Sequence, residues 1–481
     1  MTEKSNSTQV AVVGGGPGGY AAAFLAADLG MKVALVDPEA NPGGVCLYRG
    51  CIPSKALLHA ARVVTESREA ANWGIQFAEP KIDISKLRAW KTSVVEKLTG
   101  GLGILSKQRK VEYIRGRAGM VDPETLRIET HGGGEQRLTF EHAIIATGSR
   151  PATIPGFPPA SDRVLDSTSA LDIARVPKSL LVVGGGYIGL EMATVYAALG
   201  SKVSVVEMLP RLLPGGVDAD LVAILAKRIE KICARVLVST KVADMEERKD
   251  GVYVKLEGAG APAGELAFDQ VLVAVGRKPN SEIPGLEKTR VRVDSRGFIE
   301  VDPARRTAEP TLYAIGDVAG EPMLAHKASH EGFTAVEAIL GHKVAFEPRA
   351  IPAVVFTDPE IAWCGLTEDQ ARAANRPVTV ARFPWAASGR AITLDRTDGL
   401  TKLVIDPESE RVLGVGIVGT GAGELIAEGV LAVEMAALAS DVKLSIHPHP
   451  TLSETVMESA EMFFGQSTHV YRPKKSQATK A

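Results

Sequence analysis

Two of the four cysteines, Cys46 and Cys51, stand five residues apart in the run Gly43-Gly44-Val45-Cys46-Leu47-Tyr48-Arg49-Gly50-Cys51-Ile52-Pro53-Ser54-Lys55. In an unbroken helix, positions five apart are separated by about 8.7 Å. That exceeds the ~7 Å limit for a disulfide, so a bridge requires irregular backbone. Gly43, Gly44 and Gly50 supply it. Pro53 suits the first turn of a helix. Cys51 is then expected at a helix N-terminus, where unpaired N–H groups stabilise a thiolate. Two blander readings stay open at this point. The pair could be buried small apolar residues, as Cys233 and Cys364 are expected to be. It could also join His447 and His449 in a Cys₂His₂ zinc site, because Cys-x₄-Cys falls within structural zinc spacing; that site would leave the adjoining glycine cluster as coincidence.

His447 and His449 each precede a proline, which favours extended backbone for both. Thr451-Leu452-Ser453-Glu454 then has the pattern of a capping box opening the last helix. Spacing alone leaves His449 as either a loop residue or a base, and Glu454 as either a cap or the partner of that ring.

The elements that must position these groups are announced by an internal repeat. Residues 9–38 and 179–208 align without a gap at a shift of 170 and agree at 13 of 30 positions. Each copy has an apolar strand (Val10–Val13, Leu180–Val183), a glycine cluster, an Ala- and Leu-rich helix closing at Gly30 or Gly200, and a second strand ending on an acid. The glycines are Gly14, Gly16, Gly19 and Gly184, Gly186, Gly189; the acids are Asp37 and Glu207. This is the full dinucleotide-binding fingerprint rather than a lone GxGxxG. Glycines admit a pyrophosphate to the backbone, the helix N-terminus offers N–H groups, and the acid accepts a ribose hydroxyl. Further strands run into glycine turns at Ala143–Gly148 and Val271–Gly276, and Leu312–Ile315 runs into Gly316-Asp317. Proline-rich passages at Arg150–Pro159 and Lys278–Pro284 read as crossings between domains. After about Arg349 the pattern becomes α+β, with strands near Ala353–Phe356, Val378–Phe383, Leu400–Ile405 and Val412–Val418 and helices at Gly423–Leu438 and Leu452–Phe464.

The whole chain, at 481 residues, has the length of about three domains. Its 55 basic and 57 acidic side chains nearly cancel, which argues against nucleic acid or an anionic membrane as partner. Four cysteines in so long a chain fit a reducing compartment rather than a disulfide scaffold. The uncharged stretch Ser5–Ala27 imitates a signal segment, but the cluster Gly14–Gly19 would wreck an apolar helix, and a cytoplasmic protein is expected. The expected fold is α/β: two Rossmann-like dinucleotide-binding domains and a C-terminal α+β domain. The expected divisions are 1–150 and 278–348 for the first dinucleotide domain, 151–277 for the second, and 349–481 for the last.

The blocks GGGPGG, GGVCLYRGCIPSKALLH, IIATGSRP, GGGYIGLE, AVGRKPN, YAIGDV, MLAHKA and HPHPTLSE together resemble the pyridine nucleotide–disulphide oxidoreductases, and among them the branch that oxidises dihydrolipoyl groups. The resemblance runs nearly end to end. It implies a redox-active Cys46–Cys51 disulfide, FAD on the first fingerprint and NAD on the second, and oxidation of protein-bound dihydrolipoamide to lipoamide with reduction of NAD⁺. FAD contacts would fall at Asp37, Lys55, Ala118, Thr147, Gly148, Asp317 and Ala325; NAD contacts at Gly184, Gly186, Gly189, Glu207, Val242 and Gly276. Lys55 would pair with Glu191 near the reactive part of FAD. His449 would be the acid–base partner of the thiols, with Glu454 holding its ring, and both would come from the second chain of a homodimer. The C-terminal domain would be that dimer's interface, and no metal is implied. Implied partners are lipoyl groups on acyltransferase or carrier proteins of 2-oxoacid dehydrogenase or glycine cleavage systems. A second disulfide reductase activity of the same fold, or a mainly structural docking role, are the alternatives. Two departures from the family pattern are Asp37, where Glu is commoner, and Tyr48, where Asn is commoner.

Overall fold

The computed structural model describes residues 6–471; Lys4 and Ser5, at the head of the uncharged stretch, lie outside them. The chain forms two compact units, one comprising the chain up to Val176 with Gln270–Glu347, the other Pro177–Asp269 with the chain from Pro348.

In the first unit, parallel strands Val33–Asp37, Asn6–Val13, Glu135–Ile145 and Leu312–Ala314 lie side by side, and the start of Glu112–Asp122 extends the sheet beyond Val33–Asp37. Strand Thr125–Thr130 pairs antiparallel with both Glu112–Asp122 and Glu135–Ile145. Successive residues of the first strand serve opposite faces: Ala11 and Val13 join one core with Val36 and Ile145, while Val10 and Val12 join another with Leu35, Ala22 and Ala335. Both faces being covered explains why the parallel strands read as continuous apolar runs instead of alternating. The helices covering this sheet include Pro17–Asp28 and Ala325–Ile339. The two proline-rich passages meet as a short antiparallel ribbon, Ser149–Pro151 against Arg277–Pro279.

One element goes beyond the sequence expectation. The 25-residue helix Ile84–Gln108 contains Gly100, Gly101 and Gly103, which weaken its helical signal. Gly103 has a packing reason, since a Cβ there would come within 2.1 Å of Asn41 Oδ1.

In the second unit, Ser179–Val183, Lys202–Val206 and Arg235–Leu237 form a parallel set. The meander Thr240–Glu247, Val252–Gly258, Glu265–Phe268 follows it. Its C-terminal part is a five-stranded antiparallel sheet in the order Ala353–Val355, Glu360–Gly365, Val412–Gly419, Leu400–Ile405, Thr379–Pro384. Helices Ala422–Glu434 and Glu454–Phe463 pack on a core that includes Trp385, Phe383, Ile417 and Val456. The strand Glu360–Gly365 was not expected from the sequence; it holds Cys364, buried as anticipated. The α/β class with a C-terminal α+β part is therefore as expected. Among the described residues, no helix is long and apolar enough to cross a membrane.

Candidate active site

The two fingerprints fold alike, and their glycines divide into two kinds. Gly14 takes φ +107°, and a Cβ there would sit 2.2 Å from Ala146 O. A Cβ on Gly19 would sit 1.8 Å from Gly14 O. These two glycines allow the turn and the close helix–strand approach. Gly16 differs, because its nearest neighbour would be Gly44 Cα at 4.0 Å. In the second copy Gly184 has φ +111° and a Cβ on Gly189 would meet Gly184 O at 2.1 Å, whereas one on Gly186 would meet nothing within 4 Å. The middle glycine of each copy thus borders an open cradle at the start of a helix, Pro17–Asp28 or Tyr187–Ala198. That cradle fits a pyrophosphate, which needs bare backbone N–H groups and room.

The acids are held the same way twice. Asp37 Oδ2 accepts from Gly15 N at 2.6 Å and Oδ1 from Glu39 N at 2.9 Å. Glu207 Oε2 accepts from Gly185 N at 2.7 Å and Oε1 from Leu209 N at 2.8 Å. Burial raises the Asp37 carboxyl above its ordinary range, against the lowering pull of the Gly15 N–H and of Arg49 and Arg117. Asp37, though shorter than Glu207, takes the corresponding pair of N–H groups, one from the glycine turn and one two residues on. Arg211, four residues beyond Glu207, pairs with Asp369 at 3.4 Å.

The first unit also gathers the other expected FAD contacts. Thr147 and Asn280 exchange two hydrogen bonds, Thr147 Oγ1 to Asn280 O at 2.8 Å and Asn280 Nδ2 to Thr147 O at 2.9 Å. Gly148 follows at φ +69° with open space beside it. Arg277 donates to Ser149 Oγ, which donates to Asp317. Ala325 is the first residue of its helix, and Ala118 is half-buried opposite Ile128. Gly276, expected among the NAD contacts, lies in this unit with φ +119° and nothing near its Cβ position.

Cys46 lies in the short helix Gly44–Arg49 and Cys51 opens the helix Cys51–Glu69. Gly50 breaks the two apart at φ −146°, ψ −116°, and a Cβ there would press within 2.8 Å of Val45 O. The irregularity expected from the glycines is therefore concentrated at Gly50. Both cysteines are unbridged thiols here, Cys46 half-buried and Cys51 exposed. The Cys46 thiol is pushed far up by its hydrogen bond to the Cys51 sulfur and by burial, with Lys55 opposing. Cys51, at the positive end of its helix, is the better placed of the two to carry a thiolate. The Tyr48 hydroxyl is taken by the preceding loop, donating to Asn41 O at 3.0 Å and accepting from Asn41 N at 3.2 Å.

In the second unit Glu191 is buried and its Oε1 accepts from Phe356 N at 3.1 Å. Val242 is half-buried opposite Leu256, where the strand Thr240–Glu247 slips register. The two histidines are distinguished by their nitrogens. His447 has Nδ1 on Ser445 O at 2.8 Å and Nε2 on Glu428 Oε1 at 2.7 Å, with its side chain 7% exposed. His449 has Nδ1 on Glu454 Oε1 at 2.9 Å, its side chain is 70% exposed, and no described residue takes its Nε2. A ring that donates Nδ1–H to a carboxylate presents the Nε2 lone pair outward, which is the arrangement of a general base. Burial pushes Glu454 up, but the Thr451 N–H and His449 outweigh it and hold the carboxyl below its ordinary range. The expected capping box forms only in half. Glu454 Oε2 accepts from Thr451 N at 2.8 Å, but Thr451 Oγ1 turns to Pro448 O and Ser453 instead of the helix start.

Sequence reasoning missed Asn280, Glu428 and Asp369 as partners of site residues; only Asn280 left a signal, inside AVGRKPN. Among the described residues, the carboxylates near enough to share an ion are Asp218, Asp220 and Glu368. Lys402 Nζ already lies among them, at 2.8, 3.0 and 2.8 Å.

Residues 8–332 match the family described as pyridine nucleotide-disulphide oxidoreductase, and residues 351–460 match that family's dimerisation domain. The chain is 49% identical over 465 residues to the dihydrolipoyl dehydrogenase of Vibrio cholerae, covering 97% of each chain. It is 47% identical over 463 residues to that of Geobacillus stearothermophilus, covering 96% of this chain and 97% of the other. Among solved structures, LpdA from Mycobacterium tuberculosis superposes with a TM-score of 0.88 at 26% identity, covering 95% of this chain and 99% of the other. The HOCl-induced flavoprotein disulfide reductase RclA from Escherichia coli gives 0.82 at 27% identity, covering 93% and 98%.

Proposed function

The chain belongs to the pyridine nucleotide–disulphide oxidoreductase family, and from that membership we propose that it oxidises protein-bound dihydrolipoyl groups to lipoyl groups with reduction of NAD⁺. The cofactors are FAD and NAD, and when bound they supply the two-electron carriage between thiols and nicotinamide. The cradle beside Gly16, with Asp37, Lys55, Ala118, Thr147, Gly148, Asp317 and Ala325, would hold FAD. The cradle beside Gly186, with Glu207 and with Val242 and Gly276, would hold NAD. We assign residues 1–150 and 278–348 to the FAD domain, 151–277 to the NAD domain and 349–481 to the interface domain.

The chain's own residues act on the thiols. His449 takes a proton from one dihydrolipoyl thiol, and Glu454 keeps the ring in the required tautomer. The thiolate attacks Cys46 in the Cys46–Cys51 disulfide, so that one S–S bond forms as the other breaks and Cys51 leaves as a thiolate. The second substrate thiol attacks the substrate sulfur of the mixed disulfide and expels Cys46, its proton passing to the departing Cys46 sulfur while His449 keeps the first. The products are lipoyl disulfide and a reduced Cys46/Cys51 pair, in which Cys46 ends protonated against the Cys51 sulfur. Lys55 and Glu191 are assigned to the same centre.

The observation that carries this chemistry is the thiol pair itself, broken at Gly50 so that Cys51 starts a helix while Cys46 shares its proton with it. The dihydrolipoyl substrate is favoured over another disulfide because relatives at 47–49% identity bear that name, whereas RclA stands at 27%. A homodimer with each site shared between chains is supported by the match to the dimerisation domain and by exposed Leu431, Met435, Leu444 and Ile446, the last 98% exposed. The substrate groups belong on acyltransferase or carrier proteins of 2-oxoacid dehydrogenase or glycine cleavage systems. Mixing the holoprotein with dihydrolipoamide and NAD⁺ tests the proposal: NADH should form stoichiometrically. No NADH from dihydrolipoamide, with NADH-driven reduction of a different disulfide, would hand the site to the alternative reductase activity.

A further inference from the structure

Glu331 is fully buried, at 0% exposure, in the middle of the helix Ala325–Ile339. A carboxylate is rarely buried so deeply unless its lone pairs are taken. Here Oε1 accepts from Arg305 Nη1 at 2.8 Å and lies 3.1 Å from Lys327 Nζ, while Oε2 accepts from Gly316 N at 2.7 Å. Gly316, at φ +74°, opens the turn that carries Asp317. Lys327 closes the far end of the same stretch, donating to Gly320 O at 2.8 Å. One side chain therefore ties the Asp317 turn to the helix that begins at Ala325.

The same helix is pressed onto the first fingerprint. A Cβ on Gly18 would come 2.9 Å from Ala328 O, and one on Gly332 would come 2.9 Å from Gly18 O. Ser329 Oγ also bonds Pro17 O at 3.2 Å. The fingerprint helix, the Asp317 turn and the Ala325 helix start thus converge on a rigid junction with Glu331 at its centre.

We propose that Glu331 is a positioning residue of the FAD site, setting the Asp317 turn against the fingerprint through Gly316, Arg305 and Lys327. This rests on the reading that FAD occupies the first unit. Glu331 touches no cofactor; it fixes the backbone that does. Glu331→Gln keeps the shape but aims an NH₂ at one of three donors, so the junction loosens.

The test is titration of the apoprotein with FAD, followed by quenching of flavin fluorescence, with ADP-ribose binding as the measure of the second fingerprint. E331Q should raise the FAD Kd by roughly tenfold or more, as for one lost charge-assisted hydrogen bond, and leave ADP-ribose binding within about twofold. A folded E331Q that binds FAD as wild type does overturns the proposal, and so does an equal loss at both fingerprints, which marks a general fold defect. If E331Q does not fold, Lys327→Met decides by the same criteria, because it spares the Arg305–Glu331 and Gly316–Glu331 bonds and removes only the contacts of Lys327 to Glu331 and Gly320. Wild-type apoprotein that takes up no FAD would instead refute the underlying reading of the first unit.

Discussion

At the scale of single residues, the second fingerprint makes a cofactor choice. Glu207 is buried and locked onto Gly185 and Leu209, so a 2′-phosphate would meet a fixed negative charge. Arg211 is the nearby cation that could answer that charge, and Asp369 holds it. Like charges brought together cost several kcal/mol, so kcat/KM should favour NAD over NADP by on the order of a hundredfold or more. Comparable values for the two nucleotides would remove Glu207 from its assigned role. The thiols carry a second expectation. In the two-electron-reduced holoprotein a long-wavelength absorption band should arise from the Cys51 thiolate beside oxidised FAD, and Cys51→Ser should abolish it. A band surviving in C51S would mean that the two cysteines are assigned in the wrong order. His449→Ala should lower dihydrolipoamide turnover by roughly 10²–10⁴, whereas His447→Ala, whose ring has both nitrogens engaged, should not match that loss.

At the scale of elements, Lys402 is the joint most open to test. It is fully buried in the strand Leu400–Ile405. Its ammonium meets Asp218 and Asp220, at the start of the helix Ala219–Ile232, and Glu368, which opens Glu368–Ala373. Arg382 also binds Asp220 and Glu368. Lys402→Met leaves Asp218, Asp220 and Glu368 with only Arg382 and the exposed Arg372 to offset them and should cost about 3–5 kcal/mol, read from denaturant unfolding. Burial pushes Asp220 up, but Arg382 and Lys402 outweigh it and hold its carboxyl below the ordinary range. Burial likewise lowers Lys402, but Asp218, Glu368 and Asp220 outweigh it and raise the ammonium above its ordinary range. A depressed acid stabilises the fold above its unfolded pKa and loses that contribution as pH falls through the folded value; a raised base does so in the alkaline direction. Stability from this joint should therefore be level through neutrality and fall at both extremes. K402M should flatten both flanks of a Tm-against-pH curve, and flanks as steep as wild type would exclude this cluster as their source.

At the scale of the molecule, the chemistry is divided between two ends of the chain, thiols near the N-terminus and the base near the C-terminus. Cys46→Ser and His449→Ala should each nearly eliminate lipoamide turnover. H449A should still carry electrons from NADH to an artificial acceptor, because its two fingerprints are intact. Refolded together, the two variants give mixed dimers in which one site has neither group and the other has both. Activity should return in proportion to the mixed dimers formed, as an isologous two-fold interface requires. Verified heterodimers that stay inactive would assign His449 to its own chain's thiols.

The sequence by itself determined whatever depends on near neighbours. The repeat announced both fingerprints, because strand, glycine turn, helix and acid all lie within thirty residues, with four of the glycines required by the backbone and the middle one of each copy by an open cradle. Gly50 and Pro53 likewise announced a break and a helix start around Cys51, and the apolar runs announced strands, which the structure buries on both faces. What it left open were partners brought together by folding. Glu191 meets Phe356 N across 165 positions, and Lys402 meets Asp220 across 182. Neither pairing leaves a periodic trace, since one buried polar group needs only a single partner at the right distance. The same holds for the choice between His447 and His449. Both precede proline and both have a glutamate, and only the tertiary structure shows that Glu428 and Ser445 consume both nitrogens of one ring while Glu454 leaves the other an outward-facing lone pair.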